Sequence, residues 1–380
     1  MRQKNTPPAP WYQDPSYWYS LADSYISAST KRSEDSVFKA ELDAFREFNI
    51  AKVIFESNLI EGAGLPLGET RRVIQEHFPV LPASFDEFYQ VRKSLDFESL
   101  IKDGKILPEV FEAIKEKGFN PDKFIPSISM SGKQRSVIEV LQHYTSIILA
   151  MAYVFEYEAN LLNRYFGQLL KREDLPKGFK EELQAHLKEK NITIINFEEI
   201  PAPVLFAQDR ICAIHKRMAN RILPKDAKVE AGEYRIDNRI VGWDIVFPSP
   251  ELIPLSMAAF IKRSNDQLDQ CFRQQCNMYQ AAASISYDFV SIHPFPDYNG
   301  RVSRVIMNMV LLALHCPFPI SLKGTKKERH KYFSALRKAN KGNLDFLSSL
   351  IANSVVETFQ ELDKHLERAE LPKLLEKNAK

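Results

Sequence analysis

The stretch from His293 to Arg304, HPFPDYNGRVSR, brings an imidazole, a carboxylate, an Asn-Gly pair and two arginines close together. Each type has a use in phosphoryl or nucleotidyl transfer. An unperturbed histidine titrates near neutrality, so His293 can take a proton from a hydroxyl. Asp297 can hold Mg²⁺, which favours one or two carboxylates together with phosphate oxygens and water. A helical pattern resumes near Arg301, which puts the Asn299 and Gly300 amides at a helix N-terminus. Unpaired N–H donors and a partial positive charge attract phosphate there. Arg301 and Arg304, three apart, leave the first turn toward one side and can grip further phosphates. Each residue alone has an ordinary structural use, and it is their coincidence that points to chemistry. Phe295, an apolar ring in a polar loop, is expected to pin that loop to the core.

The elements that must position this loop read as helices. The segment from about 35 to 60 repeats apolar residues at helical spacing (Phe48, Ala51, Phe55, Leu59), and the glycines of SNLIEGAG end it. Further helices are expected in ETRRVIQEHF, SFDEFYQVRKSLDFESLIKD and PEVFEAIKEKG. From Ser136 to about Arg172 runs a long apolar-periodic stretch, either one helix or a pair. KGFKEELQAHLKEKN reads as a solvated helix, and AQDRICAIHKRMANRIL as another. GEYRIDNRIVGWDIVFPSP alternates in the manner of a β-hairpin around Asp237-Asn238. Helices return from 254 to about 290, from Val302 to about His315 as a fully buried element, and twice between Lys326 and Arg368. The expected fold is all-α with one hairpin, and residues 1 to about 16 form an arm.

With 380 residues and 44% hydrophobic content, the chain can bury a sizeable core. Its 51 Lys and Arg against 49 Asp and Glu leave a formal net charge of +2, which gives no broad field for nucleic acid or anionic membrane. Phosphate recognition must then be local. Cys212, Cys271, Cys276 and Cys316 form no CxxC pair, so reduced, buried thiols and a cytoplasmic setting are expected. The N-terminus lacks the apolar core of a signal peptide. The longest apolar run, Ile147 to Phe155, falls well short of the roughly 20 residues of a membrane span.

HPFPDYNGRVSR resembles the signature of the Fic family, H-x-F-x-[DE]-[GA]-N-[GK]-R-x-x-R, and departs from it at Tyr298, where relatives carry a small residue. GEYR at 232–235 with the following hairpin is similar to the family's G-x-Y-R and its flap. ERHKYFSALRKANKGN is similar to the helix Y-x-x-A-L-x-x-A-x-x-G, and SNLIEG at 57–62 to the inhibitory motif [ST]-x-x-x-E-[GN]. The resemblance implies a Fic-type helical bundle at 131–368 with a flap at about 232–248. It also implies an N-terminal helical region at 1–130 that carries an inhibitory helix at about 40–62.

The resemblance further implies a protein adenylyltransferase moving AMP from ATP, with Mg²⁺, onto a Ser, Thr or Tyr hydroxyl of a target docked along the flap. In that scheme His293 is the base and Asp297 the metal ligand. The Asn299 side chain and Gly300 amide stabilise charge on the transferring phosphate, Arg301 takes the β-phosphate and Arg304 the γ-phosphate. Ser57, Glu61 and Gly62 belong to the inhibitory motif, with Glu61 engaging Arg304. Tyr298 is expected to reshape or partly cover the site, and His215 to be a core or supporting residue. Removal of AMP, transfer of another phosphate-containing group and a degenerate scaffold are the alternatives. No nucleic-acid or membrane partner is expected, and aromatics in the N-terminal arm leave room for a homodimer.

Overall fold

The structure, a computed structural model, describes residues 15–32, 35–77, 132–189, 203–241 apart from 221 and 225, and 245–378. The helices expected in SFDEFYQVRKSLDFESLIKD and PEVFEAIKEKG, and most of the N-terminal arm, lie outside these residues. Eleven α-helices are described: α1 Pro15–Lys31, α2 Ser36–Ile60, α3 Leu67–His77, α4 Gly132–Lys171, α5 Lys177–Glu189, α6 Gln208–Ala219, α7 Ile253–Phe272, α8 Met278–Ile292, α9 Asn299–Ala313, α10 Lys326–Ala339 and α11 Asp345–Asn378. The long apolar stretch is thus one 40-residue helix, α4.

At the centre lies α9. Every one of its residues except Gly300 is buried. It packs against α8, α4, α2 and α6, so its arginines project into a protein-lined space. Residues Arg135–Lys171 of α4 are long and apolar enough to cross a membrane, with a mean hydropathy of 1.4, and 56% of that window is buried inside the fold. The buried side of α4 carries Glu139, His143 and Ser146, polar groups that meet protein partners.

Short strands Ile240–Val241 (β1) and Ile245–Val246 (β2) pair antiparallel, with Ile240 opposite Val246 and Val241 opposite Ile245. The chain therefore reverses between Val241 and Ile245. The Asp237-Asn238 turn expected from the sequence is not the hairpin turn. Those residues precede β1, where the Asp237 carbonyl accepts from Arg235 Nη1 (2.5 Å) and its carboxylate meets Arg239 (3.1 Å).

A second departure concerns the cysteines. Cys271 and Cys276 form a disulfide where the chain turns from α7 toward α8, their Cα atoms 4.7 Å apart, whereas Cys212 and Cys316 are free. The reversal after α7 brings together two residues whose spacing carries no recognisable pairing signal.

Asp35 caps α2, accepting from Val37 N (2.9 Å) and Phe38 N (3.2 Å), which satisfies two of the helix's first N–H groups. The helix is then tied to the extended segment 317–324 that follows α9. Arg46 Nε donates to the Pro317 carbonyl (2.7 Å), Asn49 Nδ2 to that of Pro319 (2.5 Å), and Gly324 N to Glu56 Oε2 (2.6 Å). The same segment is fastened to α9 by Asn308, which donates to the Ile320 carbonyl (3.0 Å) and accepts from Ile320 N (2.6 Å). Segment 317–324 is thus a clip between α2 and α9.

Apolar burial adds to the clip. Phe38, Leu42, Phe45, Ile50, Val53, Ile54 and Ile60 of α2 are all buried. At about 1.5–3 kcal/mol for each such side chain, freeing α2 would cost about as much as a domain's whole net stability or more. The helix is part of the core.

Gly324 tests the clip. A Cβ there would lie 2.7 Å from the Glu56 carbonyl and 2.9 Å from Ile60 N, both backbone atoms that cannot swing aside. Gly324→Ala is expected to lower stability by about 1–3 kcal/mol in urea unfolding, the usual range for overpacking. An unchanged unfolding midpoint would show that α2 and the clip are not tightly apposed.

Candidate active site

The loop from His293 to Tyr298 joins α8 to α9 and is bent at both ends into left-handed backbone, with φ of 51° at His293 and 63° at Tyr298. Several groups hold it there. Both polar atoms of the Asn299 side chain are used on Phe295, Oδ1 accepting from its N–H (3.0 Å) and Nδ2 donating to its carbonyl (2.8 Å). The side chain braces the loop, and Asn299 offers the site its backbone N–H at the start of α9.

Phe295 is fully buried and stacks on His215, with ring centroids 3.8 Å apart. His215 Nδ1 accepts from Gly232 N (2.8 Å), so its Nε2–H donates to the Asp297 carbonyl (3.2 Å). That pattern needs a neutral ring, and burial pushes the His215 pKa down to about 3. The histidine thus joins the segment before the hairpin to the motif loop.

Arg235, fully buried, is a second joint. Its Nε donates to the His293 carbonyl (2.7 Å), Nη1 to that of Asp237 and Nη2 to that of Pro248 (2.7 Å). One guanidinium thereby fixes both ends of the hairpin to the residue that begins the motif. Phe247, just past β2, stacks on the His293 ring at 4.0 Å between centroids.

His293 Nδ1 lies 3.3 Å from the Val290 carbonyl, which favours an Nδ1–H donor and leaves the lone pair on Nε2. Burial, chiefly, with Arg235 and Arg239 adding, lowers its pKa to about 4 against the Val290 carbonyl and Glu61. The ring is therefore neutral at physiological pH and able to accept a proton. Asp297 Oδ1 accepts from Tyr298 N (2.6 Å). Among the described residues no group of three or more His, Cys, Asp and Glu could form an all-protein metal cage. A single carboxylate fits Mg²⁺ that arrives with phosphate oxygens.

Glu61 sits at the C-terminal end of α2, which Gly62 (φ 70°) terminates. Its carboxylate bonds Arg304 Nη2 at 2.7 Å. Ser57 holds the same guanidinium, its Oγ accepting from Nε (2.8 Å) and its carbonyl from Nη2 (2.9 Å). A Cβ added at Gly300 would fall 2.6 Å from Glu61 Oε1, so the carboxylate lies directly against the first turn of α9. Burial would raise the Glu61 pKa, but Arg304, then Arg301 and Arg329, outweigh it and hold the carboxyl below its usual range. Glu61 thus stays ionised at neutral pH and loses its charge only as pH falls through that lowered value.

Arginine donors remain unused. Arg301 Nε and Nη1 and Arg304 Nη1 are buried without a hydrogen-bond partner, an arrangement that suits an anion larger than one carboxylate. Arg301 lies over the Tyr298 ring at 4.2 Å and 3.7 Å from Glu139 of α4. The tyrosine ring, 3% exposed, is packed beneath Arg301 toward α4, where its hydroxyl donates to Glu139 Oε1 (3.2 Å).

The structure thus gathers His293, Asp297, Gly300, Arg301, Arg304, Ser57 and Glu61 around the N-terminus of α9. Arg235, Phe247, Glu139 and His143 were not singled out from sequence. Arg235 lies within the GEYR motif itself. Glu139 and His143 are four apart in α4, and polar residues on a largely apolar helical face, Ser146 among them, were the available signal. His143 donates from Nδ1 to Asn58 Oδ1 (3.2 Å), and burial together with Arg301 and Arg304 keeps its pKa well below the ordinary range.

A model of the Fic/DOC family matches residues 205–311, from the start of α6 to near the end of α9. A Fido domain-containing protein of Dictyostelium discoideum is 34% identical over 113 residues, 30% of this chain and 74% of that protein. Proteins named protein adenylyltransferase Fic are also similar. That of Culex quinquefasciatus is 33% identical over 176 residues, 46% of this chain and 32% of its own. That of Nematostella vectensis is 34% identical over 162 residues, 43% of this chain and 34% of its own. The chain spans about a third of the length of these adenylyltransferases. Among solved structures, Fic-1 from C. elegans superposes with a TM-score of 0.50 at 19% identity, over 92% of this chain and 71% of that one. A Fic domain containing signaling protein from Bacteroides thetaiotaomicron gives 0.52 at 14% identity, over 92% and 98%. At such identities the likeness concerns the fold. The 34% identity to the Fido domain-containing protein, across 74% of its length, together with the matched segment places the chain in the Fic/DOC family.

Proposed function

We propose that this protein is an adenylyltransferase that moves AMP from ATP to a hydroxyl of a target protein, and that Glu61 holds it inactive. One observation carries the reading. A carboxylate occupies the anion-seeking N-terminus of α9 and bonds Arg304, while neighbouring buried guanidinium donors on Arg301 and Arg304 stay unbonded. Relatives named as adenylyltransferases are 33% and 34% identical to parts of this chain, and the family model matches the segment that contains this helix.

In the proposed reaction the target oxygen attacks the α-phosphorus of ATP as its proton passes to His293 Nε2. The bond from the α-phosphorus to the oxygen bridging to the β-phosphate breaks, and pyrophosphate leaves. The amides at the start of α9 are oriented toward the charge on the transferring group, and the arginines hold the outer phosphates. Asp297 would hold Mg²⁺, which supplies charge neutralisation at the phosphates when bound. Ile240 and Val246, an exposed cross-strand pair at 62% and 75%, support docking of an extended target segment along the hairpin. Arg235 then keeps that hairpin in register with His293.

Glu61 acts in this scheme by competition. Its carboxylate uses the Arg304 donor that a γ-phosphate would take and stands against Gly300, so a nucleotide must displace it. Because α2 is built into the core, displacement requires the side chain to turn aside while the helix stays in place.

Incubating Glu61→Gly with ATP and Mg²⁺ is expected to add the mass of AMP to the protein itself or to a supplied target. Wild type should gain far less, and Glu61→Gly combined with His293→Ala should gain none. Equal transfer with and without Glu61, at equal ATP occupancy, would remove the inhibitory role.

The depressed His293 pKa makes a second expectation. A base must be deprotonated to act, so kcat/KM of the Glu61→Gly enzyme should stay level as pH falls from 8 through 6 and decline only toward about 4. Loss of Glu61, which raises that pKa, moves the decline lower still. A decline centred near 6.5 would mean that His293 is solvated in the free enzyme.

A further inference from the structure

Tyr298 raises a physical question. It stands at φ 63°, a left-handed conformation that is strained for a bulky side chain, and it precedes the first residue of α9. A residue without a side chain would relieve the strain. Something the tyrosine contacts must therefore offset the cost.

The contacts converge on Arg301. Its guanidinium carbon lies 4.2 Å from the centre of the Tyr298 ring, within range of an attractive cation–π contact. The tyrosine hydroxyl donates to Glu139 Oε1 (3.2 Å), and that same oxygen lies 3.7 Å from Arg301 Nη1. Arg135 Nε, one turn earlier on α4, reaches it too at 3.3 Å. Arg301, Tyr298 and Glu139 are all buried, so these contacts act with little solvent screening. Yet Arg301 Nε and Nη1 make no hydrogen bond. The guanidinium is thus held by a ring face and a carboxylate at a distance, and keeps donors for another anion.

We propose that Tyr298 and Glu139 are positioning residues that seat Arg301 for the β-phosphate of a nucleotide. The seat joins the motif loop to α4. It preorganises the arginine before the ligand arrives, so less side-chain freedom is lost on binding. This proposal rests on the nucleotide reading above, but the seat itself can be measured without a nucleotide.

The experiment uses the full chain carrying Glu61→Gly and compares it with Tyr298→Leu, Tyr298→Phe, Glu139→Ala and Glu139→Gln added singly. Calorimetry measures the affinity for ATP and ADP with Mg²⁺, and for AMP, which has no β-phosphate. Tyr298→Leu and Glu139→Ala are expected to weaken ATP and ADP by about 2- to 30-fold, the range of a cation–π contact, and to leave AMP nearly unchanged. Tyr298→Phe, which keeps the ring, should lose less than Tyr298→Leu, and Glu139→Gln less than Glu139→Ala. These conservative variants also cover the case in which the larger changes do not fold. A parallel loss for ATP, ADP and AMP, or no loss, would overturn the seat.

If the Glu61→Gly parent binds no nucleotide, the functional reading fails and the seat is decided by NMR of the ligand-free protein. A restrained Arg301 Nε–H resonance that becomes averaged in Tyr298→Leu and Glu139→Ala, and less so in Tyr298→Phe and Glu139→Gln, would support it. Equal restraint in parent and variants would refute it.

Discussion

Much of this molecule is arranged around a single charge contact, the Glu61 carboxylate against Arg304 and Gly300 at the start of α9. A helix N-terminus with nearby arginines is an unfavourable place to leave without an anion, since the amides and guanidinium donors would then be buried or half-buried without partners. Glu61 supplies that anion from within the chain. Its position at the end of α2 would otherwise be mildly unfavourable for a negative charge, because the last carbonyls of a helix repel it. Arg304 and the opposing helix N-terminus reverse that balance, and Arg329 Nε, which donates to the Ile60 carbonyl, removes one of the repelling acceptors.

For such a contact to persist, both helices must be held in register. Packing alone leaves helices free to slide by small amounts, whereas hydrogen bonds along their length do not. The clip at 317–324 provides them, with Arg46, Asn49 and Glu56 on one side and Asn308 on the other. Lys52 adds a bond to Glu361 of α11 (2.5 Å). Seven large apolar side chains from α2 sit in the same core as those of α9. The N-terminal helices and the family segment therefore share one core, and the carboxylate is presented from a rigid support.

The motif loop shows a similar division of labour between residues that can reach a ligand and residues that hold the backbone. Asn299, His215 and Arg235 carry groups often used in catalysis, yet each is committed to backbone carbonyls or amides. Their work is to stabilise left-handed turns at His293 and Tyr298 that ordinary residues would avoid. His293, Arg301 and Arg304 keep unbonded or accessible capacity because the neighbouring side chains carry the loop.

The local pattern of residues was enough to reveal most of the described helices, though not α1, the buried character of α9, and the cluster from His293 to Arg304, since helical periodicity and motif spacing are short-range properties. It also brought out SNLIEG and GEYR as segments similar to those of a family. It misread the hairpin, because Asp237-Asn238 has turn chemistry but Arg235 and Arg239 hold it before β1. It gave no sign that Cys271 and Cys276 would meet, nor that Asn299 would turn its side chain toward Phe295. Above all, sequence placed Glu61 and Arg304 in separate helices, with no spacing that links them except through a resemblance. Only the packing of α2, α4 and the clip against α9 decided that two carboxylates and a serine from distant segments, Glu61, Glu139 and Ser57, would surround two arginines. Such meetings depend on the sum of many long-range contacts, which no local stretch of chain encodes.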